Sequence, residues 1–156
     1  MDIGSGKGFP SANLSNFHPH AFCLDGVEIA SMEGFLQSLK FENIEVQKQV
    51  CTLVGIKAKF RGKKRNKAWK RVQKLWWLGV EFDRHGVEFQ LLLDKAFDAL
   101  STNESFKRAL LATGKSALTH SMGKSDPHDT VLTTREFCGR LEKIRQELQK
   151  EAKSRR

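Results

Sequence analysis

The sequence predicts a mainly α-helical protein, a single compact multi-helical domain with a small β-hairpin and short strands. From Val46 onward, apolar residues recur mostly at helical spacing, whereas strand-like patterns are short and few. The length of 156 residues is that of one ordinary domain. Hydrophobic residues make up 39% of the chain and charged residues 29%, as in folded globular proteins. We therefore expect residues 1–156 to form one domain.

The N-terminal part is predicted to be a loop followed by a hairpin. The glycines of Gly4–Gly6, with Pro10 shortly after, are typical of irregular backbone. Such a glycine-rich backbone can approach a phosphate or a sugar closely, but no strand–helix pattern follows it, so it is not a P-loop. Ala21–Leu24 and Val27–Ala30, joined by Asp25-Gly26, match a β-hairpin with a two-residue type I′ turn.

The segment after the hairpin carries the main functional hypothesis. Ser31 is a good N-cap for a helix over Met32–Phe41, which one glycine interrupts. At roughly 100° per residue, Glu33, Gln37 and Lys40 fall within about 60° of one another. An acid, an amide and an amine thus share one face of the helix, next to its apolar face. A rigid element that presents catalytic groups to a ligand would have this arrangement. The alternative is a solvated stripe whose charges merely suit the helix dipole.

Periodicity predicts further helices along the rest of the chain. The helical segments are Val46–Val54, Trp69–Trp76, Phe89–Leu100, Phe106–Leu110 and Phe137–Leu148. Thr133 and Glu136 form a capping box that starts the last of them. Gly79–Gly86 is predicted to be a loop and Ser116–His120 a short strand. The basic tail, about 149–156, is expected to fray.

The net charge of +9 comes from one segment. Val46–Val80 holds eleven Lys or Arg and no acid, while the other residues have a net charge of −2. A localised excess of this size is typical of proteins that bind polyanions, nucleic acid first among them. The alternative is a lysine-rich surface kept for solubility. Our candidate nucleic-acid-binding residues are Lys63, Lys64, Arg65, Lys67 and Lys70. Trp76 is expected in the core, whereas Trp69 suits either the core or a platform for a base.

Other classes of protein are disfavoured. No apolar run approaches the roughly 18 residues of a membrane span, and no secretory leader is recognised, so we expect a cytoplasmic protein without a membrane partner. Cys23, Cys51 and Cys138 are odd in number and widely spaced, which favours reduced thiols. His18 and His20 lack further ligands at suitable spacing. We expect no metal and no cofactor.

Four motifs together resemble the NADAR family, over about Asp2 to Arg145. The motifs are NLSNF at 13–17, Glu33-x-x-x-Gln37-x-x-Lys40, an isolated Trp69, and LLATGKSALTH at 110–120. The resemblance implies N-glycosidase chemistry on nucleotides and ADP-ribose derivatives, in bacteria and phages. One branch of the family cleaves early riboflavin-pathway intermediates. Another removes ADP-ribose from guanine bases of DNA and so counters DNA ADP-ribosyltransferase toxins, which are then functional partners in an antitoxin or counter-defence role.

Two departures from the common family pattern are similar to the DNA-directed branch. Many members have Trp-Asp where this chain has Trp69-Lys70, and many have a late Asp followed by Trp-Gly where it reads KSDPHDTVLTTREFCGRL. The late loop acid is then Asp126 or Asp129, of which we select Asp126 as catalytic. With the basic segment, this favours ADP-ribosylated DNA as substrate. A riboflavin intermediate and a non-catalytic module that binds nucleotide or nucleic acid are the alternatives.

The resemblance places the Glu33–Lys40 helix at the active centre. Breaking an N-glycosidic bond generates positive charge on the sugar and negative charge on the departing base. Glu33 is expected to stabilise the sugar or to activate water, and Lys40 to protonate the base or to attack C1 as an amine. The expected substrate-binding residues are Gly4, Ser5, Gly6, Ser15, Asn16, Phe17, Gln37, Trp69 and His120. Of these, the glycine loop would receive the diphosphate of ADP-ribose.

Overall fold

The computed structural model describes residues 1–155 and consists of α-helices with two small antiparallel hairpins, which confirms the predicted mainly α-helical class. The elements in chain order are a 3-10 turn (Ala12–Leu14), β1 (Phe22–Leu24), β2 (Val27–Ile29), α1 (Met32–Ser38), α2 (Ile44–Val50), α3 (Gly55–Lys63), α4 (Asn66–Val72), β3 (Lys74–Trp77), β4 (Val80–Asp83), α5 (Val87–Leu100), α6 (Glu104–Ala112) and α7 (Thr134–Ser154). Strands β1 and β2 form one sheet, and β3 and β4 form the other.

The predicted β1–β2 hairpin is confirmed. Phe22 pairs with Ile29 and Leu24 with Val27. Asp25 and Gly26 have φ angles of 49° and 79°, as both central residues of a type I′ turn require. The hairpin delivers the chain directly into α1.

Helix α1 begins where the sequence predicts and ends earlier. The Ser31 hydroxyl accepts a hydrogen bond from the Gly34 backbone N–H at 3.1 Å, which confirms Ser31 as the N-cap. The helix stops at Ser38, so the predicted extension to Phe41 is wrong. The backbone N–H groups of Lys40 and Phe41 donate to carbonyls three residues back, which tightens the last turn away from α geometry. Lys40 therefore lies just beyond α1.

The β3–β4 hairpin replaces two sequence predictions. Gln73 adopts a left-handed conformation with φ 55° and ends α4, so the predicted helix does not reach Trp76. The strand that follows alternates between faces, which buries Trp77 and leaves Trp76 half-buried. The segment predicted as a loop from Gly79 contains β4, which pairs Trp76 with Glu81. Trp69, Val72 and Trp76 have helical spacing in the sequence, but burial along Lys74–Trp77 alternates as in a strand.

The core lies between the hairpins and helices α1, α5, α6 and α7. The large side chains that are almost fully buried there include Phe35, Phe89, Phe97, Phe106 and Phe137. The predicted capping box of α7 is present, with Thr133 accepting from the Glu136 backbone and the Glu136 side chain accepting from the Thr133 backbone. Helix α7 extends to Ser154, and position 156 lies outside the described residues, so fraying of the tail stays a prediction.

The predicted strand at Ser116–His120 is wrong in extent. Only an isolated parallel bridge joins Asp2 to Thr119. The Ile3 backbone N–H donates to the Thr119 carbonyl at 2.8 Å, and the Thr119 N–H donates to the Met1 carbonyl at 3.0 Å. This pairing fixes the N-terminal loop against the connection between α6 and α7. No helix within residues 1–155 has the length and apolar content that a membrane crossing needs.

Candidate active site

A cavity of about 500 Å³ opens between α1, α3, α4, the N-terminal loop and the α6–α7 connection. Most of the predicted catalytic and substrate-binding residues line it. These residues are Gly4, Ser5, Ser15, Asn16, Phe17, Glu33, Gln37, Lys40, Trp69 and His120. Gly6 and Asp126 are outside the lining. The structure thus brings together residues that are more than 110 positions apart in the chain, and their roles stay predictions.

The loop that carries NLSNF is attached to α1 through the backbone. The Glu33 N–H donates to the Asn16 carbonyl at 3.0 Å. In the first turn of a helix this N–H has no partner within the helix, so the loop satisfies it. The Phe17 N–H in turn donates to the Ser15 hydroxyl at 3.2 Å. Glu33 and the NLSNF segment therefore keep a fixed geometry at one wall of the cavity.

Glu33 and Gln37 on α1, and Lys40 just beyond its end, line the same cavity. The Gln37 amide Nε2 donates to Glu33 Oε1 at 2.8 Å. The Lys40 ammonium donates to Asn66 Oδ1, on α4, at 2.6 Å, and the side chain is 6% exposed. Glu33 and Lys40 line the same cavity without forming a direct ion pair. Both groups are thus available to a ligand in the cavity.

The surroundings move the pKa values of these two groups toward each other. Desolvation raises the pKa of the Glu33 carboxyl above its ordinary value, and the Gln37 hydrogen bond and the Lys40 charge only partly oppose this. Desolvation lowers the pKa of Lys40 from 10.5 to about 8, against the attraction of Glu33. A carboxyl group of raised pKa and an amine of lowered pKa in one cavity are typical of sites that transfer protons.

Gly62 on α3 determines where the Gln37 side chain lies. A Cβ at Gly62 would overlap the Gln37 carboxamide, so only glycine allows α3 to approach α1 this closely. Gln37 Oε1 and the indole Nε1 of Trp69 are buried and have no hydrogen-bond partner among the described residues. Trp69 is 1% exposed and lines the cavity, so it belongs to both the core and the site. A buried donor and a buried acceptor without partners are sites for water or ligand atoms.

His120, in the connection between α6 and α7, also lines the cavity. Its Nδ1 lies 2.8 Å from the Ile3 carbonyl oxygen, so Nδ1 carries the proton and Nε2 is left as an acceptor when the ring is neutral. The ring also packs edge-on against Phe137, with centroids 5.3 Å apart. A Cβ at Gly123 would lie 2.5 Å from the His120 ring, so this glycine makes room for it.

The late acid selected from the sequence, Asp126, lies outside the cavity lining, whereas Asp129 belongs to it. Asp126 accepts hydrogen bonds from the backbone N–H of His128 at 2.9 Å and from its ring at 3.2 Å, in a solvent-exposed turn. These bonds lower the pKa of the Asp126 carboxyl. Asp129 is the late acid that lines the cavity. The turn that Asp126 stabilises ends at Asp129, whose N–H donates to the Asp126 carbonyl at 3.0 Å. Sequence alone does not show which acid faces inward.

The predicted nucleic-acid-binding residues divide between the cavity and the surface near it. Lys63 lines the cavity, whereas Lys64, Arg65, Lys67 and Lys70 do not. Among the lining residues that sequence reasoning left out of the site are Lys59, Phe60, Asn66 and Lys124. Helical spacing could have identified Lys59, which precedes Lys63 by one turn of α3. Asn66 and Lys124 reach the cavity only through tertiary packing.

The histidine pair considered as a metal site has a structural role. His20 is buried, and its Nε2 lies 2.6 Å from the Asn13 carbonyl oxygen and its Nδ1 2.7 Å from the Ser105 hydroxyl. Across residues 1–155, no group of three His, Cys, Asp or Glu side chains is arranged to hold a metal ion. Cys23, Cys51 and Cys138 are free thiols.

Comparisons with known proteins agree with this fold. The family described as Bacteriophage protein GP30.3 matches residues 8–146. A 17.1 kDa protein from the Gp30-rIII intergenic region of Enterobacteria phage T4 is 36% identical over 150 residues, which cover 95% of this chain and 98% of the relative. The NMR structure of the E. coli protein YbiA superposes with a TM-score of 0.62 at 17% identity, over 97% of this chain and 86% of that chain. At this identity, the YbiA match shows the fold.

Proposed function

We propose that this chain, which belongs to the bacteriophage GP30.3 protein family and through it to the NADAR family, is an N-glycosidase that releases ADP-ribose from guanine bases of DNA. Membership supports glycosidase chemistry in general. The observation that carries the proposal is that one cavity, with further lysines in its lining, contains both Glu33, whose pKa is raised, and Lys40, whose pKa is lowered to about 8.

The chemistry needs one proton acceptor and one proton donor. Hydrolysis breaks the bond between the sugar C1 and the guanine nitrogen, the electron pair leaves with the base, and a water oxygen bonds to C1. The Glu33 carboxylate takes a proton from that water, and the Lys40 ammonium gives one to the departing nitrogen. Solvent then returns the proton from Glu33 to Lys40. General acid and base assistance of this kind contributes typically 10² to 10⁴ in rate.

The charges at the cavity favour an anionic substrate. Lys59, Lys63 and Lys124 line it together with Lys40, against the acids Glu33 and Asp129. The ammonium groups suit the diphosphate of ADP-ribose, which carries two negative charges. The acid-free basic segment continues outside the cavity, where a small substrate has nothing to contact. A polymer of phosphates makes use of both surfaces.

The direct test is release of free ADP-ribose from an ADP-ribosylated guanine oligonucleotide, measured beside a riboflavin-pathway intermediate. We expect turnover of the oligonucleotide, and a loss of at least about 100-fold in kcat for both Glu33→Gln and Lys40→Ala. Each variant should keep the circular dichroism spectrum of the wild type. Turnover of the riboflavin intermediate alone would reassign the substrate, and unchanged rates in both variants would refute the mechanism.

A second test concerns the DNA surface. Neutralising Lys63, Lys64 and Arg65 together should raise KM for the DNA substrate and flatten its dependence on salt, because each lost phosphate contact removes about 0.7 from the slope for a single strand. As the matched control, Lys48 and Lys74 are basic residues of the same segment that already pair with Glu45 and Glu81. Their neutralisation should leave the salt slope nearly unchanged. An unchanged slope in the triple variant would place the DNA elsewhere.

A further inference from the structure

The outer face of α3 combines an exposed aromatic ring with cations at the mouth of the cavity. Phe60 lines the cavity, yet its side chain is 56% exposed. Helical spacing places Lys57, Lys63 and Lys64 three or four residues from it, on the same face. All three of these lysines are exposed. None of them forms an ion pair with an acid among the described residues.

Packing against the rest of the protein does not account for this ring. Helix α3 packs on α1 through Ala58 and Gly62, which are buried, so Phe60 is on the side that faces away from the core. Ile56 shares that outer face and is 49% exposed, but it does not line the cavity. Phe60 is thus the exposed apolar residue of α3 that is continuous with the site. Met122, between α6 and α7, is 70% exposed and also lines the cavity.

We propose that Phe60 is a stacking platform for the unpaired base next to the modified guanine, so that the enzyme binds its DNA as a single strand. This inference rests on the proposed function, because it places the reacting nucleotide inside the cavity and its neighbour at the mouth. An aromatic face flanked by lysines is the arrangement by which proteins hold single-stranded nucleic acid: bases stack on the ring, and the cations contact the phosphates on either side. A paired neighbour would keep its face covered by the adjacent base pairs and could not reach the ring.

Binding of unmodified DNA tests the platform independently of catalysis. Fluorescence anisotropy would compare a short single-stranded oligonucleotide with one of equal length and charge in which the bases are replaced by abasic sites. We expect Phe60→Ala to weaken binding of the base-bearing strand by about fivefold or more, which is the equivalent of ~1 kcal/mol for a lost base–aromatic stack. Binding of the abasic strand should be unchanged. Phe60→Trp should restore or strengthen binding. Ile56→Ala, the matched control on the same helix face, should behave as the wild type.

The outcomes separate this inference from the proposed function. If Phe60→Ala weakens binding of both strands equally, or of neither, Phe60 is not a stacking platform. The same holds if the variant loses affinity only for free ADP-ribose, because the ring would then contact the nucleotide itself. If the wild type releases no ADP-ribose from modified DNA, the proposed function fails, whatever the anisotropy shows. With a modified oligonucleotide as substrate, the platform predicts that Phe60→Ala raises KM more than it lowers kcat.

Discussion

Replacing Lys40 by methionine should stabilise the protein while it removes activity. The lysine is 6% exposed, and its pKa is lowered from 10.5 to about 8, so the folded protein holds the charged form at a cost. At 1.36 kcal/mol per pKa unit, that cost is about 3 kcal/mol below pH 8. Methionine keeps much of the buried aliphatic chain and carries no charge. It leaves Asn66 Oδ1 without its donor, which costs about 1 kcal/mol.

The net gain of about 2 kcal/mol corresponds to a rise in Tm of roughly 4 to 8 °C at pH 7 for a chain of this size. The gain depends on pH. Between pH 8 and 10.5 the folded wild type has released the Lys40 proton while the unfolded chain still binds it, so the wild type gains stability as the pH rises. The advantage of Lys40→Met should therefore disappear over this range.

Thermal unfolding followed by circular dichroism at pH 7 and pH 10 measures both effects. Lys59→Met is the matched control, because Lys59 lines the same cavity but is exposed, and it should change Tm by little at either pH. An unchanged or lower Tm for Lys40→Met at pH 7, or a gain that is the same at both pH values, would refute the reasoning that Lys40 is desolvated.

Three further predictions address the site. Because desolvation raises the pKa of Glu33, kcat/KM of the wild type should fall on the acid side, where this carboxylate is protonated, and on the alkaline side near pH 8, where Lys40 loses its proton. A pH–rate profile with no acid limb, or an acid limb that Glu33→Gln retains, would contradict the role of Glu33 as base. Gly62→Ala should destabilise the fold by about 1–3 kcal/mol and lower kcat, because its Cβ displaces the amide that binds Glu33. The control Gly139→Ala, on α7 with open space around it, should be neutral or stabilising by about 0.5 kcal/mol in denaturant titrations. Asp129→Asn should reduce turnover more than Asp126→Asn does, because Asp129 lines the cavity. Asp126→Asn should instead lower Tm, because Asp126 stabilises its turn. If Asp126→Asn reduced ADP-ribose release more than Asp129→Asn, Asp126 would be assigned to the site again.

Local chemistry in the sequence is sufficient for the elements that depend on few residues. The Asp25-Gly26 turn, the Ser31 cap and the Thr133 capping box each require only residues within four positions of one another, and all three are present. The apolar period of α5 is equally local, since one face of a helix is buried whatever covers it. The relation to the NADAR family also follows from short motifs, and the family match confirms it.

Where the sequence reasoning failed, the outcome depended on contacts between distant segments. Gln73 ends α4 in a left-handed conformation, and the following tryptophans enter a strand because Lys74–Trp77 pairs with Val80–Asp83. The resemblance left Asp126 and Asp129 as candidates, and the selected Asp126 lies in a turn of the folded loop, whereas Asp129 lines the cavity. The local sequence pattern predicts neither the strand pairing nor the position of the late acid, because both depend on contacts between distant parts of the folded chain.

The sequence by itself determined that an acid, an amide and an amine lie within eight residues of one another, shortly before an acid-free basic segment. Only the tertiary structure decided that Glu33 and Lys40 are desolvated, that Gly62 lies against Gln37, and that His120, between α6 and α7, lines the same cavity. The physical reason is that charge and helical spacing are carried by neighbouring residues, whereas the removal of water from a charged group requires packing by residues from the whole chain.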